Sequence, residues 1–214
     1  MRPLQVVRLA DVPAQPWRNG GGTTRELLAW PPGSSPEGWQ LRVSVADITC
    51  DGPFSAFPGI ERGFAVLEGA GVALTLPALG EPGPGEGQGA QDTRQLDPTS
   101  AAFVFDGAHA PGCRLVAGPT RDLNLMVRRD TGRVAMQRAT PGSRWARGTA
   151  WRGLYTHGGA SLATPAGRLK LPAACLAWCD ACDDAAWHLV EGHHGWWLGL
   201  QPALASPASP GEHT

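Results

Sequence analysis

Two stretches of the sequence concentrate residue types that bind small charged molecules. In Pro16-Trp17-Arg18-Asn19-Gly20-Gly21-Gly22-Thr23-Thr24-Arg25-Glu26, a run of glycines lies between arginine, asparagine and threonine. Glycine has no Cβ, so backbone amides there can approach an anion closely. The run lacks the lysine of a phosphate loop and the spaced glycines of a dinucleotide site, which ranks nucleotide binding below a structural turn. In Asp51-Gly52-Pro53-Phe54-Ser55-Ala56-Phe57-Pro58-Gly59-Ile60-Glu61-Arg62, aromatic, proline and glycine residues make a rigid loop that presents Ser55 and Arg62. Arginine suits carboxylates because its planar fork donates two parallel hydrogen bonds. The plainer reading makes Phe54 and Phe57 core anchors and Arg62 a surface cation.

Other chemistries have weaker signals. No histidine lies between Phe54 and Glu68, and His109 stands alone before Asn124. One imidazole does not make a catalytic metal site, which usually takes three protein ligands. Cys175, Cys179 and Cys182 have the spacing of an iron–sulfur triplet, but only 32 residues follow Cys182, too few for the cofactor domain that such a cluster serves. A zinc site using them with His188 stays open beside the plainer reading of small residues on a strand and turn. His157, His193, His194 and His213 form no HExxH pattern, and no G-x-S-x-G elbow supports a serine nucleophile. No metal and no cofactor are expected.

The elements that must position these residues read as short strands. The 29 glycines and 20 prolines leave little room for long helices. Leu41-Arg42-Val43-Ser44-Val45 alternates, which in a strand sets Leu41, Val43 and Val45 on one face and Arg42 and Ser44 on the other. Phe64–Leu67, Glu68-Gly69-Ala70-Gly71 and Val72–Leu76 read as a hairpin. Ala102–Phe105, Leu115–Val116 and Leu123–Val127 supply further strands, a spacing that favours a sandwich or barrel. Residues 1–130 are expected to form one barrel and 131–201 a smaller lobe. Gly80–Gln91 is expected to be a mobile loop and 202–214 a disordered tail, because both lack apolar side chains to offset their ordering entropy.

The charge balance of 18 basic and 19 acidic side chains gives no overall field for nucleic acid or anionic membrane. Eight arginines from Arg121 to Arg152 face only Asp122 and Asp130 in sequence, with Trp145 and Trp151 interleaved. A nucleic-acid groove has this composition, as does a solvated face or packing between lobes. No apolar run reaches signal-peptide or membrane-span length, and an odd number of cysteines, five, argues for reduced thiols. The expected location is the cytoplasm, with no nucleic-acid or membrane partner.

The segments PWRNGGGTTRE, WQLRVSVADITCDGPFSAFPGIERGFAVLEGAG and DLNLMVRR, in this order, resemble the HutD/Ves family, closely over about the first 130 residues and weakly after them. The resemblance implies an all-β bicupin fold, two cupin-like barrels in one chain. For the HutD branch it implies a small-molecule-responsive brake on histidine utilisation, and for the Ves branch a link to stress responses. The sequence contains none of the histidine and glutamate set of metal-binding cupins in the corresponding region.

The leading expectation is a non-catalytic regulatory protein whose N-terminal barrel encloses a small carboxylate metabolite, with urocanate or formylglutamate as candidates and a homodimer compatible with it. Arg42 and Ser44 are expected to line the barrel, Arg62 to clamp the carboxylate, and Asn19 or Asn124 to supply an amide. Thr24, Arg25 and the glycine run are expected to form one wall, and Phe54 and Phe57 another, with Ser55 of the same loop among the binding residues. One alternative is a metal-independent enzyme using Arg62, Glu61 or Asp47 for acid–base work. Another is an interaction module using the basic stretch or the nine tryptophans.

Overall fold

A computed structural model describes residues 4–76, 92–145, 150–180 and 185–202. The expected loop at Gly80–Gln91 lies outside the described residues, as do Cys182 and residues 203–214 of the expected tail, whereas Pro202, the expected start of that tail, is in a strand. The chain runs through β1 (Gln5–Arg8), β2 (Gln15–Pro16), β3 (Gly22–Trp30), β4 (Leu41–Ile48), β5 (Gly52–Pro53), β6 (Ile60–Glu68), β7 (Val72–Leu76), β8 (Asp92–Leu96), β9 (Phe103–Asp106), β10 (Gly112–Leu115) and β11 (Thr120–Arg128). It continues through β12 (Gly132–Ala139), β13 (Arg144–Trp145), β14 (Trp151–Thr156), β15 (Ala160–Thr164), β16 (Gly167–Leu171), β17 (Cys175–Cys179), β18 (Trp187–Gly192) and β19 (Gly195–Pro202). A three-residue 3-10 turn at Leu9–Asp11 is the helical element among the described residues, and none is long and apolar enough to cross a membrane.

Every strand pairing is antiparallel, and the sheets group into two cupin-like lobes. The first lobe packs the six-stranded sheet β2-β3-β4-β11-β6-β9 on the four-stranded sheet β5-β10-β7-β8. The second packs β1-β17-β14-β19-β12 on β13-β18-β15-β16. Each lobe is thus two facing sheets without continuous hydrogen bonding round a closed barrel. The first strand belongs to the second lobe, where Val6 pairs with Ala177, and Pro202 is the last strand residue, paired with Gly132.

Period-two alternation explains how two lobes share one chain. Leu41, Val43 and Val45 of β4, Ala65 and Leu67 of β6, and Leu123, Leu125 and Val127 of β11 all point away from the first lobe's interior. They meet Trp151, Tyr155, Leu176, Trp178, Trp196, Leu198 and Leu200 of the second lobe in a single hydrophobic cluster. The interior of the first lobe is a separate cluster around Ile48, Phe54, Phe64, Val72, Leu74 and Phe105. Polar ties join the lobes at the rim. The Val134 amide donates to Glu61 Oε2 at 2.6 Å, and Arg138 Nη2 donates to the Pro98 and Ser100 carbonyls at 2.6 and 3.0 Å.

The hairpin expected across Glu68–Gly71 is instead a corner between sheets. Strand β6 pairs with β11 and β9, whereas β7 pairs with β10 and β8. Gly69 and Gly71, at φ +95° and +98°, turn the chain from one sheet into the other. A Cβ at Gly69 would lie 2.5 Å from the Pro119 carbonyl oxygen, and one at Gly71 would run into that of Leu96. The glycines therefore serve close backbone packing as well as the turn.

Because one cluster spans both lobes, they should unfold together. Leu125→Ala, which empties a fully buried position in that cluster, is expected to cost about 2–5 kcal/mol. Urea unfolding followed by tryptophan fluorescence, which reports mainly on the second lobe, should shift by the same amount as far-UV circular dichroism. A shift in circular dichroism alone would show the lobes to be energetically separate.

Candidate functional site

The opposite faces of the same strands build a cavity of about 410 Å³ in the first lobe. Strand β11 lies between β4 and β6, in a register that sets Asn124 opposite Ser44 on one side and Phe64 on the other. The inward positions then follow at intervals of two: Thr24 and Glu26 on β3, Arg42, Ser44 and Ala46 on β4, Asn124 and Met126 on β11. The loop before β6 adds Phe54, Ser55 and Phe57, and β6 itself adds Arg62.

Arg62 is the most constrained group here. It is only 9% exposed, and its guanidinium carbon lies 4.5 Å from the Phe54 ring centroid and 5.7 Å from that of Phe105. Those ring faces attract the cation, by about 0.5–2 kcal/mol each in typical settings. Its Nε donates to Asn124 Oδ1 at 2.7 Å, while the Asn124 amide nitrogen donates to Asp122 Oδ2. These two bonds fix which way the Asn124 amide faces. The terminal nitrogens of Arg62 have no protein acceptor among the described residues. Ser44, 3% exposed, likewise has no side-chain hydrogen bond among them.

Burial acts on both ends of this chain. It lowers Arg62 to about 10, against the opposing pull of Asp122, so the guanidinium stays charged at neutral pH. It raises Asp122 to about 7, with the Arg62 charge and the Asn124 hydrogen bond opposing. Nearer the mouth, Arg42 Nε lies 3.2 Å from Glu26 Oε2, an ion contact whose angle is not that of a hydrogen bond. The Arg42 guanidinium carbon is 5.9 Å from the centroids of both Trp39 and Phe57.

The structure brings the expected site residues together, with two corrections. Asn19, Thr24, Arg42, Ser44, Phe54, Ser55, Phe57, Arg62 and Asn124 all line the cavity. Arg25 does not: its Nη1 lies 3.2 Å from Asp47 Oδ2 on the other face of the sheet, because neighbours on a strand point to opposite faces. The glycine run is also not a wall. Gly20 N donates to the Trp17 carbonyl and Gly21 N to Asn19 Oδ1, both at 3.0 Å, so these amides close their own turn. Thr24 Oγ1 accepts from Trp17 Nε1 at 2.7 Å, which holds that turn against β3.

Glu26, Met126 and the buried Asp122 were not foreseen. Each stands two residues from one that was, so extending the alternation along β3 and β11 would have found them. The acids considered for catalysis, Glu61 and Asp47, lie elsewhere: Glu61 ties β12 to β6, and Asp47 accepts from Arg121 Nε at 2.7 Å. The arginines of the basic stretch are spent separately, with Arg129 near Asp106, Arg138 over Trp196, and Arg152 fully buried and donating to the Ala185 carbonyl. Seven tryptophans are buried in packed clusters. Among the described residues, no three histidine, cysteine or acidic side chains come together as a metal site.

Fold and cavity together define a two-lobed cupin-like protein with an arginine-lined pocket in its first lobe. The chain belongs to the HutD family, whose model matches residues 9–196. It is 36% identical over 137 residues to a 21.2 kDa protein of the hutC 3′ region of Pseudomonas putida, covering 64% of this chain and 65% of that one. It is 33% identical over 128 residues to Protein Ves of Citrobacter koseri, covering 59% of each. The matches thus span less than two thirds of these relatives' own lengths. The solved structure of HutD from Pseudomonas fluorescens SBW25 superposes with a TM-score of 0.76 at 26% identity, covering 94% of this chain and 99% of that chain.

The raised Asp122 carboxyl has a signed consequence for stability. Between the ordinary aspartate value of 3.8 and about 7, the folded chain holds a proton that the unfolded chain has lost. The stability that Asp122 contributes is therefore full below about pH 4 and declines as pH rises to about 7. Asp122→Asn removes this slope, so urea midpoints of the variant should gain on the wild type from pH 5 to pH 8. A constant difference between the two proteins would show that Asp122 does not titrate in this range.

Proposed function

We propose that this protein is a non-catalytic, small-molecule-binding regulator of the HutD type. In this reading the first-lobe cavity holds a carboxylate metabolite of histidine degradation, and its occupancy limits activity of the pathway. The observation that carries the reading is Arg62, a buried cation held by Phe54, Phe105 and Asn124 and lining the cavity with its terminal nitrogens unpaired. A carboxylate matches that fork in charge and shape, and Ser44 offers a further hydroxyl. The cavity volume of about 410 Å³ suits a small metabolite.

Two names among the relatives support the pathway. One relative belongs to the hutC 3′ region, and another is HutD of Pseudomonas fluorescens SBW25. Urocanate and formylglutamate are the ligands to test. A cytoplasmic location accords with the free thiols of Cys50, Cys113 and Cys175.

Calorimetric titration of metal-free protein with each compound tests the proposal. Saturable heat without sustained turnover is expected from at least one of them. Arg62→Ala should weaken binding by at least about tenfold, since hydrogen bonds to charged groups contribute about 1.5–3 kcal/mol. Arg25→Ala, outside the cavity, should leave it unchanged. Sustained heat would indicate an enzyme, and undiminished binding by Arg62→Ala would remove the clamp.

A further inference from the structure

We infer that an anion entering the first-lobe cavity binds together with a proton, taken up by Asp122, so that Arg62 exchanges one countercharge for another. The inference rests on the proposed carboxylate reading. Its basis is the arrangement behind the cavity wall. Asp122 is 1% exposed and does not line the cavity, yet it is joined to Arg62 through the Asn124 amide. With the cavity empty and the pH above about 7, a buried Arg62 cation and an Asp122 carboxylate neutralise each other. A carboxylate arriving at the open end of Arg62 would leave two negative charges around one buried positive charge. Like charges in a desolvated site are strongly disfavoured, and protonating the inner carboxylate relieves the excess. The step is balanced: one proton leaves the buffer and bonds to an Asp122 carboxylate oxygen.

The surrounding groups leave this role to Asp122. From β4, Arg42 acts on Arg62 but has Glu26 beside it, and Asp47, which also acts on Asp122, is paired with Arg25 and Arg121. From β10, Cys113 faces the cluster as a neutral thiol, pushed up to about 12 by burial, with Asp51 beyond it. The Asp122 carboxyl, raised to about 7, takes or gives a proton near neutrality at little cost.

The test is calorimetry of the full chain with formylglutamate at pH 7 in Bis-Tris and in Tris, cationic buffers whose ionisation heats differ. The ligand's own carboxylates titrate well below this pH, so a buffer-dependent heat reports on the protein. Asp122, raised to about 7, is about half protonated at this pH before binding, so the heats should differ by an amount equivalent to uptake of up to about half a proton. Affinity should fall from pH 6 to 8.5, approaching about tenfold per pH unit at its steepest. In Asp122→Asn the heats should agree and affinity should be flat. Saturable binding by the wild type with equal heats and flat affinity would overturn the inference while leaving the carboxylate reading intact, as would proton uptake persisting in Asp122→Asn. Should that variant not fold, the wild-type buffer pair and pH profile decide alone. Absence of saturable heat from urocanate, formylglutamate and acetate alike would overturn the carboxylate reading and this inference with it.

Discussion

A guanidinium taken out of water inside a β lobe must find hydrogen bonds and a countercharge there, since the effective cost of burying an unpaired ion is several kcal/mol. Arg62 meets this demand with two aromatic faces, one amide and, through that amide, one carboxylate. The supporting groups come from three parts of the chain: Phe54 from the loop before β6, Phe105 from β9, and Asn124 and Asp122 from β11. The demands of one cation thus fix the relation of the loop, the sheet and the cavity. Their arrangement uses Nε and leaves the terminal nitrogens without a protein acceptor among the described residues, so the groups that stabilise the ion also orient it.

The apolar backs of the same strands explain the second lobe. A sheet with polar side chains on its inner face must bury its outer face elsewhere, and β4, β6 and β11 do so against Trp151, Tyr155, Trp196 and their neighbours. The second lobe's own interior is filled by Trp145, Trp187, Trp197 and Leu162. It therefore acts as a packing partner for the lobe that carries the cavity. The first strand reinforces this by adding β1 to the second lobe's sheet, so the chain enters one lobe, builds the other and returns.

Much of this was legible in local pattern. The alternation of Leu41 to Val45 predicts a strand with Arg42 and Ser44 on the cavity side, and the structure has it so. The loop ending at Arg62 was recognisable by its aromatic and proline content. The errors came where one physical rule was applied without another. Placing Thr24 and Arg25 on one wall ignores alternation, and reading Gly69 and Gly71 as a hairpin treats glycine as turn-forming without asking which strands pair. Alternation from Asn124 sets Asp122 on the inward side of β11, and the register with Val66 and Ala46 places it inside. The pairing of β1 with β17 joins residues from opposite ends of the chain and leaves no local signal.

The central claim is that Arg62, held by Asn124 and backed by Asp122, is the anchor for a carboxylate in the first-lobe cavity. A crystal structure of the protein with formylglutamate tests it most directly. The account predicts a ligand carboxylate within hydrogen-bonding distance of the terminal nitrogens of Arg62 and close to Ser44, with the Asn124 bridge to Asp122 intact. A ligand bound outside the first lobe, or bound in the cavity with Arg62 turned away from it, would contradict the account.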